Sequence, residues 1–156
     1  MVAARWHAST TFVAFPIDAL NDPKTGAFAG FTMHKVGHHR PVHELYSPSS
    51  RKAAFPKATY PFLVRVVTNV ARAVASVHAT GCTIGDVNHS GFLVAQDATV
   101  MLIDSDSLQA SYSGTIYPCK VGVPEFTPQE LQGQRLDQVA RTPIHDAFGL
   151  AVLTFY

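Results

Sequence analysis

The side chains best placed to do chemistry fall in two short polar stretches. Asp86 and Asn88 lie in Gly85-Asp86-Val87-Asn88-His89-Ser90-Gly91, and Asp104 and Asp106 lie in Ile103-Asp104-Ser105-Asp106-Ser107. Between them stand two apolar runs, Phe92-Leu93-Val94-Ala95 and Thr99-Val100-Met101-Leu102-Ile103, joined by a Gln96-Asp97-Ala98 turn. That arrangement predicts a β-hairpin, and a hairpin returns its two ends to one place. Asp86 and Asp104 are therefore expected near each other, although 18 positions separate them. Gathered carboxylates supply hard oxygen ligands for the divalent cation of phosphate chemistry; alternatively, one acts as a base while its neighbour holds a metal. Taken singly, each Asp reads equally well as a turn residue satisfying local backbone donors.

The elements that position these residues are legible in outline. Apolar residues at Phe62, Leu63, Val66, Val67, Val70, Ala73, Val74 and Val77 follow steps of three and four, with Arg65, Asn69, Arg72 and Ser76 opposite. This predicts an amphipathic helix that starts near Pro61 and ends at Gly81. Upstream, two Phe-rich runs at 11–15 and 27–33 flank Asn21-Asp22-Pro23-Lys24-Thr25-Gly26, which reads as another hairpin. Residues 37–57 hold Pro41, Pro48 and Pro56 and read mostly as loop, with a helical turn at 42–46. A long loop is expected over 105–124, then a short helix at 128–132. A last apolar helix is expected from near Asp146 to Tyr156; it has no C-terminal cap and reads as cut short.

In order, these features resemble the catalytic core of a protein kinase. The particular wording, Ile84-Gly85-Asp86-Val87-Asn88 and Leu102-Ile103-Asp104-Ser105-Asp106-Ser107-Leu108-Gln109, is similar to a bacterial kinase-like subgroup with a G-D-x-N catalytic loop and an I-D-x-D-S metal motif. The resemblance implies an α+β, protein-kinase-like fold in part: the last N-lobe hairpin and hinge at 1–36, then the first, mainly helical half of the C-lobe at 37–156. Within the second part it implies a catalytic loop at 84–94, a metal motif at 102–107, an activation segment at 105–131 and the start of a core helix at 145–156. Asp86 takes the position of the catalytic base and Asp104 that of the magnesium ligand. Met33, His34, Lys35 and Val36 take the hinge that reads adenine, and Leu93 the floor beneath it. Asp146 takes the place of a residue that braces the catalytic loop, and Thr142 is scaffold beside it. The implied cofactors are ATP and Mg2+, and the implied partner is a protein substrate carrying a Ser or Thr hydroxyl, or a docking protein.

Three departures weaken the catalytic expectation. The catalytic-loop Asn that holds a second metal should stand five residues after Asp86, where this chain has Gly91; Asn88 is the nearby oxygen donor that could stand in. No glycine-rich phosphate loop precedes the hinge, since Gly26-Ala27-Phe28-Ala29-Gly30 has the wrong spacing. Lys24, in a turn, is the one lysine before Met33 and does not fit the phosphate-clamping role. The fragment is thus expected to be impaired or inactive. The rival readings are a pseudokinase-type protein-binding module and a small metal-dependent phosphoesterase built on Asp86, Asp104 and Asp106.

Composition narrows the classes further. Apolar residues make up 47% and charged residues 15%, against a typical charged share of about 25%, so a packed domain is expected rather than a disordered tail. The low charge also leaves apolar surface available for association. Net charge is +1, which carries no field for nucleic acid or anionic lipid. Arg51, Lys52, Lys57, Arg65 and Arg72 read as a solvated face. No run of 18 apolar residues exists, and residues 1–20 make a poor secretion signal. Cys82 and Cys119 read as packed thiols in a reducing, cytoplasmic setting. His34, His38, His39 and His43 are bunched, but Gly37 and Pro41 interrupt any helix that would align them for zinc. His89 reads as a surface residue.

Overall fold

A computed structural model describes residues 10–156. Residues 1–9, which hold the first half of the stretch read as a poor secretion signal, lie outside the described part. The described residues form a mixed α/β unit of three small antiparallel sheets and three α-helices. Its order is β1 (Pro16–Asn21), β2 (Phe28–Met33), β3 (His39–Pro41), α1 (Pro48–Ala54), α2 (Tyr60–Ala79), β4 (Phe92–Ala95), β5 (Val100–Leu102), β6 (Ala110–Tyr112), β7 (Thr115–Tyr117) and α3 (Pro143–Phe155), with short 3-10 turns between them.

The amphipathic pattern sets α2. Thr59 caps its N-terminus by accepting the Phe62 N–H, Pro61 occupies the first turn, and Val66, Val70, Ala73, Val74 and Val77 are buried. By length and composition α2 would pass for a bilayer-crossing helix; its buried stripe forms the middle of the core and packs against β5. Asn69 pins the helix to the β4–β5 turn by donating to the Ala98 carbonyl at 2.8 Å. The β4–β5 hairpin takes the expected place, with Phe92, Val94, Val100 and Leu102 buried on one face. Leu93 and Met101 pair across the strands on the other, half-buried face.

The structure departs from the sequence expectations in six places. The apolar run 11–15 is not the first strand of the N-terminal hairpin. Val13 bridges Leu102 in parallel, Ala14 donates to the Leu102 carbonyl, and Val13, Ala14 and Phe15 are buried, because the core claims the most apolar residues. The hairpin strand begins one residue later, at Pro16, where a missing N–H costs no ladder bond. Residues 39–41 form an edge strand on β4, and Pro41 is tolerated at its end. Residues 48–54 form a helix, with Pro48 in its first turn and Ser47 as its cap. The expected long loop contains the β6–β7 hairpin, closed by Ser113 and Gly114, both with positive φ, as a two-residue turn requires. Finally, α3 begins at Pro143, before the expected start at 145, and the helix expected at 128–132 is a 3-10 turn, Gln129–Leu131.

Candidate functional site

Two loops leave the β4–β5 hairpin on one side, and each carries a carboxylate. The Asp104 loop is anchored to the core. Ile103 donates to the Gly91 carbonyl, Ser107 donates to the Asp104 carbonyl, and the buried Ser105 hydroxyl donates to the Ala14 carbonyl at 2.5 Å. Asp104 itself is exposed and has φ +59°, a left-handed conformation uncommon for a residue with a side chain. Its carboxyl is pushed above the usual carboxylate range, first by partial burial and then by the charges of Asp106 and Asp86. Asp106 and Asp86 lie near enough to Asp104 for their charges to act on its carboxyl, in line with a hairpin that returns its ends to one side.

The Asp86 loop is held from three sides. Asp146, 1% exposed on α3, accepts the N–H of Ile84 through Oδ2 and of Gly85 through Oδ1, both at 2.7 Å. The same Oδ2 lies 2.8 Å from His78 Nε2 at the end of α2. Asp146 therefore ties the long helix, the core helix and the loop entrance together. On the second side, Gln109 exchanges both backbone hydrogen bonds with Thr83, and its side-chain amide pairs with the backbone N–H and carbonyl of Arg141 at 2.7 Å each. Arg141 is buried and donates to the Val121 carbonyl at 2.6 Å. On the third side, Asp86 Oδ1 accepts the Val123 N–H at 3.2 Å, joining the loop to the segment before the 3-10 turn Pro124–Phe126.

Two glycines let these parts approach. Gly85 has φ +77°, and a Cβ there would lie 2.6 Å from Cys119 Cβ. Gly149, one helical turn after Asp146, faces Val87, where a Cβ would sit 2.9 Å from both Cβ and the carbonyl oxygen. The D-x-x-G spacing on α3 thus places a hydrogen-bonding carboxylate and a bare backbone on the face that meets the loop.

The remaining sequence-derived residues are placed as follows. Asn88 is buried, with its carboxamide engaged inside the loop: Oδ1 accepts the Ser90 N–H at 2.7 Å and Nδ2 donates to the Asp86 carbonyl at 3.1 Å. Gly91 is buried and offers no side-chain oxygen, although a Cβ there would meet only ordinary contacts, at 3.6 Å or more. Met33 ends β2 opposite Pro16 and is exposed. His34, Lys35 and Val36 line a cavity of about 430 Å3 with residues from 10–15, Gly37, His39 and Met101. Leu93 does not line it; its cross-strand partner Met101 does. His34, His38, His39 and His43 form no metal cluster, and among the described residues no group of three or more His, Cys, Asp or Glu is set to hold a metal. His89 is not a simple surface residue. It is half-buried, with ring centroids 5.5 Å from His43, 6.5 Å from Tyr46 and 5.4 Å from Phe126. Sequence reasoning gave no role to Gln109, Arg141 or His78.

Asp104 by itself suits magnesium, which takes one or two protein carboxylates and fills its shell with water and phosphate oxygens. Like charges around this exposed carboxyl also mark a place where a cation would be stabilised.

No protein-family model matches the chain. The chain is 43% identical over 146 residues to the protein named protein kinase YegI of Escherichia coli K12, and equally to its namesake of Escherichia coli O157:H7. The match takes in 93% of this chain but 22% and 23% of those proteins, so the chain spans less than a quarter of the curated relatives it matches. Similarity across nearly the whole chain supports a kinase-like relationship.

Proposed function

We propose that this chain forms the catalytic-loop part of a protein-kinase-like phosphotransferase, which uses ATP and Mg2+ to phosphorylate a Ser or Thr hydroxyl of a protein. The observation that carries the reading is the bracing of the Asp86 loop by Asp146 of α3, at the end of the β4–β5 hairpin that also carries Asp104. Asp104 would hold the metal against the phosphates. Bound magnesium would neutralise charge on the phosphate oxygens. The Asp86 carboxylate would orient the attacking hydroxyl and accept its proton. Adenine would rest in the cavity between His34, Lys35 and Val36 of the hinge and Met101, the cross-strand partner of Leu93. A cytoplasmic setting is part of the proposal.

Phosphoryl transfer depends on positioning and charge stabilisation, and this chain has no glycine-rich loop, no clamping lysine before the hinge and no side-chain oxygen at position 91. On its own it is proposed to bind nucleotide and to transfer phosphate poorly or not at all. One observation favours a second reading, a pseudokinase-type binding module: the Asn88 carboxamide is already engaged by the loop it belongs to. The phosphoesterase reading uses the same carboxylates, Asp86, Asp104 and Asp106, and no observation of the structure favours it over the kinase-like one. Thermal denaturation with ATP, with and without magnesium, tests the proposal. A magnesium-dependent rise in Tm is the expected result; no shift with any nucleotide would leave the binding module.

A further inference from the structure

Arg141 is a buried cation without a carboxylate. It is 3% exposed and makes no ion pair among the described residues. Its Nη2 donates to the Val121 carbonyl at 2.6 Å, while Nε is buried with no partner. The backbone that carries it is fixed on both sides, because the Gln109 amide pairs with its N–H and its carbonyl. The side chain runs between two glycines. A Cβ at Gly85 would meet its Cδ at 3.2 Å, and a Cβ at Gly122 would meet its Nη2 at 3.3 Å. Two residues after Val121, Val123 donates its N–H to Asp86 Oδ1. Arg141 thus lies between the entrance of the Asp86 loop and the segment that reaches the candidate base.

A guanidinium buried against a single carbonyl is a poor filler, since an apolar side chain of similar volume often stabilises a fold as well or better. The other donor to that carbonyl is the Cys119 thiol, at 3.4 Å and weak. Arg141 is therefore the strong tie on this stretch of backbone. Kinase activation segments are ordered when an arginine meets a phosphate added to the segment. Here an arginine already holds the segment by its main chain. We propose that Arg141 is a positioning residue that clamps residues 119–123 onto the Asp86 loop, so that this part of the segment is set without phosphorylation. The proposal rests on the phosphotransferase reading for the role of Asp86, but the clamp itself needs no nucleotide.

The test is amide hydrogen exchange, read by NMR on the whole chain before and after phosphatase treatment. In the parent, the Val123 amide is expected to be equally protected in both samples. Arg141→Met keeps an apolar stem of similar size. It is expected to leave the buried amides of α2 slow while Val123 exchanges about tenfold faster, the scale of one lost hydrogen bond to a charged group. Arg141→Ala is expected to loosen Val123 in the same way, and millimolar guanidinium chloride, unlike sodium chloride, to restore its protection. Unchanged exchange at Val123 in both variants overturns the proposal, as does a lack of recovery with guanidinium. Exchange that quickens equally throughout α2, or an Arg141→Met chain that does not fold, also overturns it, because the side chain then supports the fold as a whole. Loosening of the parent at Val123 after phosphatase treatment overturns the independence from phosphorylation. A magnesium-dependent ATP shift with Val123 unmoved by either substitution removes only the clamp. Faster exchange at Val123 in the variants, without any nucleotide shift in the parent, supports the clamp and removes the reaction assigned to Asp86.

Discussion

Asp146 accepts the backbone N–H of Gly85 at 2.7 Å, one residue before the candidate base Asp86. A buried carboxylate on the core helix therefore sets where the loop begins. It does so with both oxygens, since Ile84 and His78 share the other one. An acceptor on each side is what two adjacent backbone donors require, and the amide of an asparagine has one acceptor and one donor.

Asp146→Asn is accordingly expected to destabilise the domain nearly as much as Asp146→Ala. Either change leaves at least one buried N–H without a partner, a loss of about 1–3 kcal/mol per group, and more where the lost partner is charged. A loss of about 3 kcal/mol in urea unfolding is the expected result. An asparagine variant as stable as the parent would show that the carboxylate does not hold the loop.

The two close-packed glycines should respond in order. Gly149→Ala gains about 1 kcal/mol of helix propensity. It also drives a Cβ to 2.9 Å from the Val87 carbonyl, and such overpacking costs about 1–3 kcal/mol. A small net loss is expected. Gly85→Ala has no compensating gain, with φ at +77° and Cys119 Cβ at 2.6 Å, so it should lower Tm further. Thermal melts of the two variants check the ranking.

Asp104 gives a pH signature. Its folded-state pKa is raised, mainly by burial and then by Asp106 and Asp86, so folding favours the protonated carboxyl. Its contribution is fully present below the unfolded value of 3.8 and is lost as pH rises through the folded value. Asp104→Asn should therefore raise stability at pH 7 and leave it little changed well below pH 3.8; asparagine tolerates the left-handed backbone at this position. Denaturant titrations at the two pH values measure the difference.

Position 91 offers a gain-of-function prediction. A Cβ there meets only ordinary contacts, so the backbone accepts a side chain, and Gly91→Asn would return an oxygen donor to the loop. Magnesium-dependent nucleotide binding should tighten by several-fold in a calorimetric titration, the direction expected of one added oxygen ligand. Unchanged affinity would mean that the loop does not present position 91 to the metal.

The parts of the fold with strong periodicity were readable in the chain. The valine stripe of α2 and the paired apolar runs of β4 and β5 carry their own patterns, and the convergence of Asp86 with Asp104 follows from the hairpin between them. The first hairpin was displaced because residues 11–15 and 16–21 are both able to form strand, and burial against β5 decided which did. Strands of three residues, such as β3, β6 and β7, are too short to show alternation. The three-way bracing of the Asp86 loop by Asp146, Gln109 and Val123 depends on contacts between residues 26 or more positions apart, and only the Asp146 role was implied by resemblance. The rings around His89 escaped notice for the same reason, because His43, His89 and Phe126 meet only in the folded chain.

The central claim is that Asp104 holds the metal of a bound nucleotide. Isothermal titration with ATP, in magnesium and in excess EDTA, tests it most directly when run on the parent and on Asp104→Asn. The account predicts binding by the parent that depends on magnesium and is lost in the variant, with both proteins folded. Magnesium-dependent binding of equal affinity in the two proteins would contradict it.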